Sequence, residues 1–224
     1  MDIEFLSKIL SIILLDLVLS GDNAVVIALA TRKLKPEQRK KAIWIGTGGA
    51  IALRVILTVI AVQLLAIPFV KVVGGLLLFY IAWDLLKSNG EDADVESGST
   101  LFAAVRTIIV ADFVMSLDNV LAIAGVADGH VGLAALGLLI SIPIIIFGSQ
   151  LIIKLMNKFP LLIWLGALLI AYTAGSMVVS DRYGKYLVDW TFPAMTQLIP
   201  IIFCILLVLI GVWTKRVQTR KFRS

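Results

Sequence analysis

The chain has 224 residues, 60% of them apolar and only 16% charged, with a formal net charge of +5 and a mean hydropathy of +1.01. No water-soluble domain of this size carries enough polar surface to cover that much apolar material, so the bilayer is the solvent. The basic residues cluster beside apolar runs and form no face with interleaved aromatics, which excludes nucleic acid as a partner. The single cysteine, Cys204, excludes an intrachain disulfide and a cysteine-based zinc cluster.

Apolar runs of about 20 residues can cross a hydrocarbon core about 30 Å thick. Read against charged punctuation, they predict seven helices over residues 5–31, 42–66, 68–87, 101–126, 131–153, 161–180 and 195–214. The first run is followed by more spans rather than by a small-residue cleavage site, so it is a retained span and not a signal peptide. The loop after it is basic, with Arg32, Lys33, Lys35, Arg39, Lys40 and Lys41, and the C-terminal tail adds Lys215, Arg216, Arg220, Lys221 and Arg223. Both are expected in the cytoplasm, and an odd number of spans then places the N-terminus outside. In the second helix, Gly46-Thr47-Gly48-Gly49 lacks the strand and lysine of a phosphate loop and reads as a site of close helix packing. Between the third and fourth helices, residues 88–100 hold Glu91, Asp92, Asp94 and Glu96 and read as a flexible acidic linker. Pro143 is expected to kink the fifth helix.

The two halves resemble each other. Asp16-Leu-Val-Leu-Ser20-Gly-Asp22-Asn23 aligns with Asp112-Phe-Val-Met-Ser116-Leu-Asp118-Asn119, and Pro68, Gly74 and Tyr80 of the third helix align with Pro160, Gly166 and Tyr172 of the sixth. Three helices per half force the second copy to enter the membrane from the opposite side. The expected fold is therefore an all-α membrane protein with an inverted 3+3 repeat plus a C-terminal helix. Its segments are a first repeat over 1–87, the linker, a second repeat over 101–180, and the seventh helix with its basic tail over 181–224.

A carboxylate at the centre of a membrane helix costs about 2.5–3.5 kcal/mol on insertion scales, so four of them in two matching sets require compensation. At about 100° per residue, Asp16, Ser20 and Asn23 share one helical face, as do Asp112, Ser116 and Asn119. Asp22 and Asp118 fall away from those faces and reach them only if the helix unwinds, which Gly21 would permit in the first half and Leu117 would not in the second. Carboxylate, amide and hydroxyl oxygens are hard ligands suited to manganese, calcium or magnesium, and two ionised Asp neutralise one divalent cation. Asp16, Asn23, Asp112 and Asn119 are the candidate inner metal ligands, Asp22 and Asp118 complete or gate the site, and Ser20 and Ser116 support it. The extra carboxyls are candidates for taking up a proton when metal leaves. Arg54 and Arg106 are the candidate ion-pair partners of the carboxyls not used by the metal, since an intramembrane guanidinium also needs a counterion. No nucleophile-and-base pair or cofactor loop is visible, so neither an enzyme nor a resident cofactor is expected.

The two acidic motifs, Asp16, Ser20, Asp22, Asn23 and Asp112, Ser116, Asp118, Asn119, with their alanine-rich continuations, make the chain resemble the TerC family of integral membrane proteins, within the wider grouping that contains LysE-type exporters. The resemblance covers almost the whole chain. It implies metal-ion efflux, most often of manganese; with no thylakoid-type targeting region before the first span, a bacterial cytoplasmic membrane is the expected location. The expected partners are then a divalent cation as cargo and the lipid bilayer, and a homo-oligomer is compatible with the sequence. Two other readings stay open: a membrane scaffold whose polar helices serve only cohesion, and an amino-acid exporter.

Overall fold

The computed structural model describes residues 3–65, 67–87, 97–127, 130–181 and 195–221. They form helices α1 (Ile3–Leu19), α2 (Gly21–Thr31), α3 (Pro36–Leu65), α4 (Val70–Lys87), α5 (Ser97–Val126), α6 (Val131–Lys158), α7 (Leu161–Ser180) and α8 (Met195–Lys221). Several run past the charges that were expected to end them. α3 starts at Pro36, whose fixed φ suits a first helical turn, with Glu37 beside the positive end of the dipole. α5 begins at Ser97, inside the expected linker, whose residues 88–96 lie outside the described part. α6 passes through Pro143 as one helix and ends on Lys158.

Among the described residues, four stretches are long and apolar enough to cross a membrane: Pro36–Ile60, Gly132–Lys158, Leu161–Ser180 and Thr196–Thr214. A fifth follows if α1 and α2, bent by 51° at their junction, form one broken span. The protein is an all-helical, multi-pass membrane protein. α4 and α5 occupy two more of the seven predicted spans, but Lys71, Asp84 and Lys87 in one and Arg106, Asp112 and Asp118 in the other lower their apolarity. Many large apolar side chains face outward, among them Val18, 80% exposed, and Phe147, 71% exposed. That is the pattern of a surface solvated by lipid rather than by water.

The chain divides into two compact units. The first comprises Met1–Ala66 and Val95–Asn157, the second Ile67–Asp94 and Lys158–Ser224. Because lipid tails are as apolar as leucine, packing inside each unit depends on close van der Waals fit, which small residues provide. In the first unit α3 lies along α5, with Gly46 so near Ile108 that an added Cβ would come within 2.9 Å of its Cδ1, and Gly49 similarly close to Ile109. Gly137 of α6 receives Ile12 of α1, where a Cβ would collide with the isoleucine side chain. Ile12 is fully buried and packs with Ile123, Leu133 and Leu138.

In the second unit α7 contacts both α4 and α8. A Cβ on Gly75 would meet the Ala174 carbonyl at 2.5 Å, and one on Gly175 would meet Pro200 Cα at 2.5 Å. Phe79 and Phe203 meet edge to face with centroids 5.2 Å apart. The buried Asp181 carboxylate, just past α7, accepts the Lys71 backbone N–H at 3.2 Å. That occupies one of the amide donors that the first turn of α4 leaves without a helical partner.

A candidate ion site around a buried arginine

The site lies in the first unit and begins with a break in a helix. Ser20 sits between α1 and α2 with φ −104° and ψ 12°, in the sparsely populated bridge region. Its hydroxyl does not cap α2; it donates to Asp16 Oδ1 at 2.9 Å. The Asp22 carboxylate instead accepts the Asn23 backbone N–H at 3.0 Å, within the first turn of α2, where a negative charge also suits the helix dipole. The break falls beside Gly21, while α5 runs unbroken through its counterpart Leu117.

Arg54 of α3 enters the space between the two acidic motifs, and all three guanidinium nitrogens donate there. Nη1 bonds Asp16 Oδ1 and also Ser20 Oγ at 3.1 Å, Nη2 bonds Asp112 Oδ1, and Nε bonds Ser116 Oγ at 2.9 Å. Asp16 receives a further bond at Oδ2 from Ser141 of α6, a hydroxyl that is also 2.9 Å from the Leu138 carbonyl. Asp112 accepts from Asn23 Nδ2 at 2.8 Å and from Ser116 at 3.3 Å. The Asp16 side chain is 1% exposed and that of Asp112 is 12% exposed. With all three groups ionised, the cluster carries one net negative charge.

A cavity of about 30 Å³ adjoins the cluster, lined on its polar side by Asp16, Asn23, Thr47, Arg54, Asp112 and Ser141. That is room for one water or one small ion. Two of its lining residues bring buried oxygens with no hydrogen-bond partner among the described residues, Asn23 Oδ1 and Thr47 Oγ1. A buried unpaired acceptor or hydroxyl is disfavoured by about 1–3 kcal/mol, so these atoms mark where a further polar species would be stabilised.

Of the ten residues singled out in the sequence, six meet here: Asp16, Ser20, Asn23, Arg54, Asp112 and Ser116. Asn119 lies elsewhere, donating its amide to the Leu19 carbonyl at 3.1 Å and so occupying an acceptor left free at the end of α1. Asp22 is half-buried and does not line the cavity. The Asp118 side chain lies outside the described residues. Arg106 is exposed, and no described residue pairs with it. Among the described residues, no three acidic, histidine or cysteine side chains come together as a metal cage. The two expected carboxylates converge instead on a guanidinium.

Thr47 and Ser141 were not anticipated. Thr47 lies within the glycine-rich packing stretch, and a lone serine in an apolar helix carries no signal of its own. Arg39 of the basic loop ties down its own neighbourhood: its guanidinium donates to the carbonyls of Thr31, Arg32 and Leu34 at 3.2, 2.8 and 3.0 Å. These carbonyls lie at the C-terminus of α2 and in the turn after it, where helical partners run out; that of Thr31 also accepts the Leu34 backbone N–H at 3.0 Å.

The sequence profile of the integral membrane protein TerC family matches residues 1–219. The chain belongs to the TerC family. The TerC chain is 47% identical over 182 residues to the uncharacterized membrane protein YjbE of Bacillus subtilis, covering 81% of this chain and 84% of that protein. It is 25% identical over 207 residues to the UPF0053 inner membrane protein YoaE of Escherichia coli, covering 84% of this chain but only 40% of that longer protein. No solved structure matches it.

Proposed function

We propose that this TerC protein is a transporter, not an enzyme, that exports a divalent cation, manganese first among the candidates, by alternating access. The observation that carries the reading is the convergence of Asp16 and Asp112, one from each acidic motif, on a single cavity with oxygen-bearing neighbours. Two carboxylates match the charge of one dication, and Asn23 and Thr47 add neutral oxygen donors of the hard type that manganese, magnesium and calcium accept. Water would fill the remaining coordination positions of so small a set. Ligand chemistry does not rank these metals; the family resemblance favours manganese.

The proposed architecture is seven spans, an inverted 3+3 repeat plus α8, with the N-terminus outside and the C-terminus in the cytoplasm. Support for the repeat comes from packing as well as from sequence. Ile12 lies four residues before Asp16 and fills the notch at Gly137; Ile108 lies four residues before Asp112 and fills the notch at Gly46. Each carboxylate helix is thus seated on a glycine of a helix in the other half. Ala50 and Ser141 follow those glycines by four residues, and Arg54 and Ile145 by eight. The correspondence pairs Arg54 with an apolar residue, so the proposed two-fold site contains one guanidinium and not two.

The test is flux of Mn²⁺, Ca²⁺ and Mg²⁺ from loaded proteoliposomes containing wild type or Asp112→Asn at matched amounts of folded protein. The expected result is Mn²⁺ efflux by wild type that falls at least tenfold in the variant. Folded wild type that moves none of the three cations would refute the transporter and leave the scaffold reading, in which the arginine cluster only holds helices together.

A further inference from the structure

In this structure the two carboxylates are already engaged by a cation that belongs to the chain. Arg54 bonds Asp16 Oδ1 and Asp112 Oδ1, while Ser141 bonds the remaining Asp16 oxygen and Ser116 the remaining Asp112 oxygen. No carboxylate oxygen of the pair is left without a donor. A dication cannot take the two Oδ1 atoms while the guanidinium stays, because each already accepts two hydrogen bonds, and binding at Oδ2 alone would hold two positive charges a few ångströms apart in a buried, weakly screened space. The unpartnered oxygens, Asn23 Oδ1 and Thr47 Oγ1, are neutral, and they line the cavity on which Arg54 also borders.

We infer that Arg54 is a tethered stand-in for the cargo: its guanidinium occupies the Asp16–Asp112 pair in the cargo-free carrier and is displaced when the dication binds. The inference rests on the transporter reading and deepens it. A dicarboxylate site emptied of its dication would hold two unpaired buried charges, a state that resists any rearrangement exposing it to a weakly polar interior. A long side chain that swings in supplies a counter-cation at once, so the empty carrier returns with both carboxylates paired. The same competition sets affinity, since every binding event must first break the guanidinium bonds, which makes release on the far side easier. Lysine would fill the role in part, keeping the charge but losing the fork that reaches both carboxylates and both serines.

The experiment compares full-length wild type, Arg54→Lys and Arg54→Gln. It uses Mn²⁺ binding followed by electron paramagnetic resonance, together with net efflux and Mn²⁺/Mn²⁺ exchange in proteoliposomes. Arg54→Gln is expected to bind Mn²⁺ at least tenfold more tightly and to retain exchange, which never needs an empty return, while net efflux falls at least tenfold. Arg54→Lys is expected to lie between the two. If Arg54→Gln is too unstable to purify, Mn²⁺ present throughout purification should restore it, because the dication replaces the missing charge. Variants that bind Mn²⁺ no more tightly than wild type, or an Arg54→Gln protein that Mn²⁺ fails to rescue, would overturn the inference while leaving transport by wild type intact. Wild type that neither binds nor moves Mn²⁺, Ca²⁺ or Mg²⁺ would sink the transporter reading and the inference with it.

Discussion

Replacing Asp16 by Asn keeps the volume of the side chain and removes its charge, which isolates what the ion pair contributes to the fold. Asp16 accepts from Arg54, Ser20 and Ser141 and is 1% exposed. The amide carbonyl of Asn can keep Arg54 and Ser20, but the bond from Arg54 loses its ionised acceptor, and the amide NH₂ then faces Ser141, which must turn from donor to acceptor. Hydrogen bonds to charged groups contribute about 1.5–3 kcal/mol and neutral ones about 0.5–1.5, so the weakened bonds to Asp16 sum to about 2–3 kcal/mol. That is less than the roughly 3–5 kcal/mol for breaking a buried pair outright, because Asp112 still compensates Arg54. At about 2–4 °C per kcal/mol for a chain of this size, the midpoint of thermal unfolding in detergent should fall by about 4–12 °C. Asp112→Asn should lower it less, since that carboxylate is 12% exposed. A double-mutant cycle of Asp16→Asn with Arg54→Gln should show coupling above about 1 kcal/mol. An unshifted midpoint, or strictly additive variants, would mean that the pair is not formed in the folded protein and would refute the reasoning.

Thr47→Val removes a buried hydroxyl that has no partner among the described residues. Stability should stay level or rise by about 1 kcal/mol, while Mn²⁺ affinity should drop about tenfold if Thr47 donates to the cargo; binding and unfolding measured on one preparation separate the two effects. Gly137→Ala should destabilise by about 1–3 kcal/mol through collision with Ile12, whereas Gly48→Ala, with nothing near its Cβ position, should be neutral or stabilising in the same thermal assay. Arg39→Lys should lower stability by about 1 kcal/mol, since an ammonium cannot serve three carbonyls spread across a turn as a planar fork does. Protection of the Leu34 region from proteolysis in membranes should fall with it.

That the chain is all-helical was legible because twenty apolar residues in a row have few other fates, but charged residues did not mark where the helices end. Lys154 and Lys158 lie inside α6, and Ser97 begins α5, because a helix ends where its backbone lacks partners and not where its side chains become polar. That Arg54 needs an anionic partner was legible from energetics alone; that Asp16 and Asp112, the expected metal ligands, supply it was not. What the sequence withheld was position in the third dimension. Asn119 shares a helical face with Asp112 and Ser116, yet it bonds the Leu19 carbonyl, because the break at Ser20 opens an acceptor that no pattern of residue types announces. Thr47 and Ser141 are ordinary residues in apolar helices until a neighbouring helix brings a carboxylate or a cavity to them.

The seating of Ile12 at Gly137 and of Ile108 at Gly46 fixes more than the distance between helices. It acts as a depth gauge for the carboxylates four residues further along, since an isoleucine held in a one-residue notch cannot ride up or down its neighbour by less than a full turn, about 5.4 Å. A slip of that size would carry Asp16 or Asp112 out of reach of Arg54 altogether. The two notches therefore hold the acidic residues in register with Arg54, and in the proposed cycle it is the long arginine side chain that gives way to the cargo.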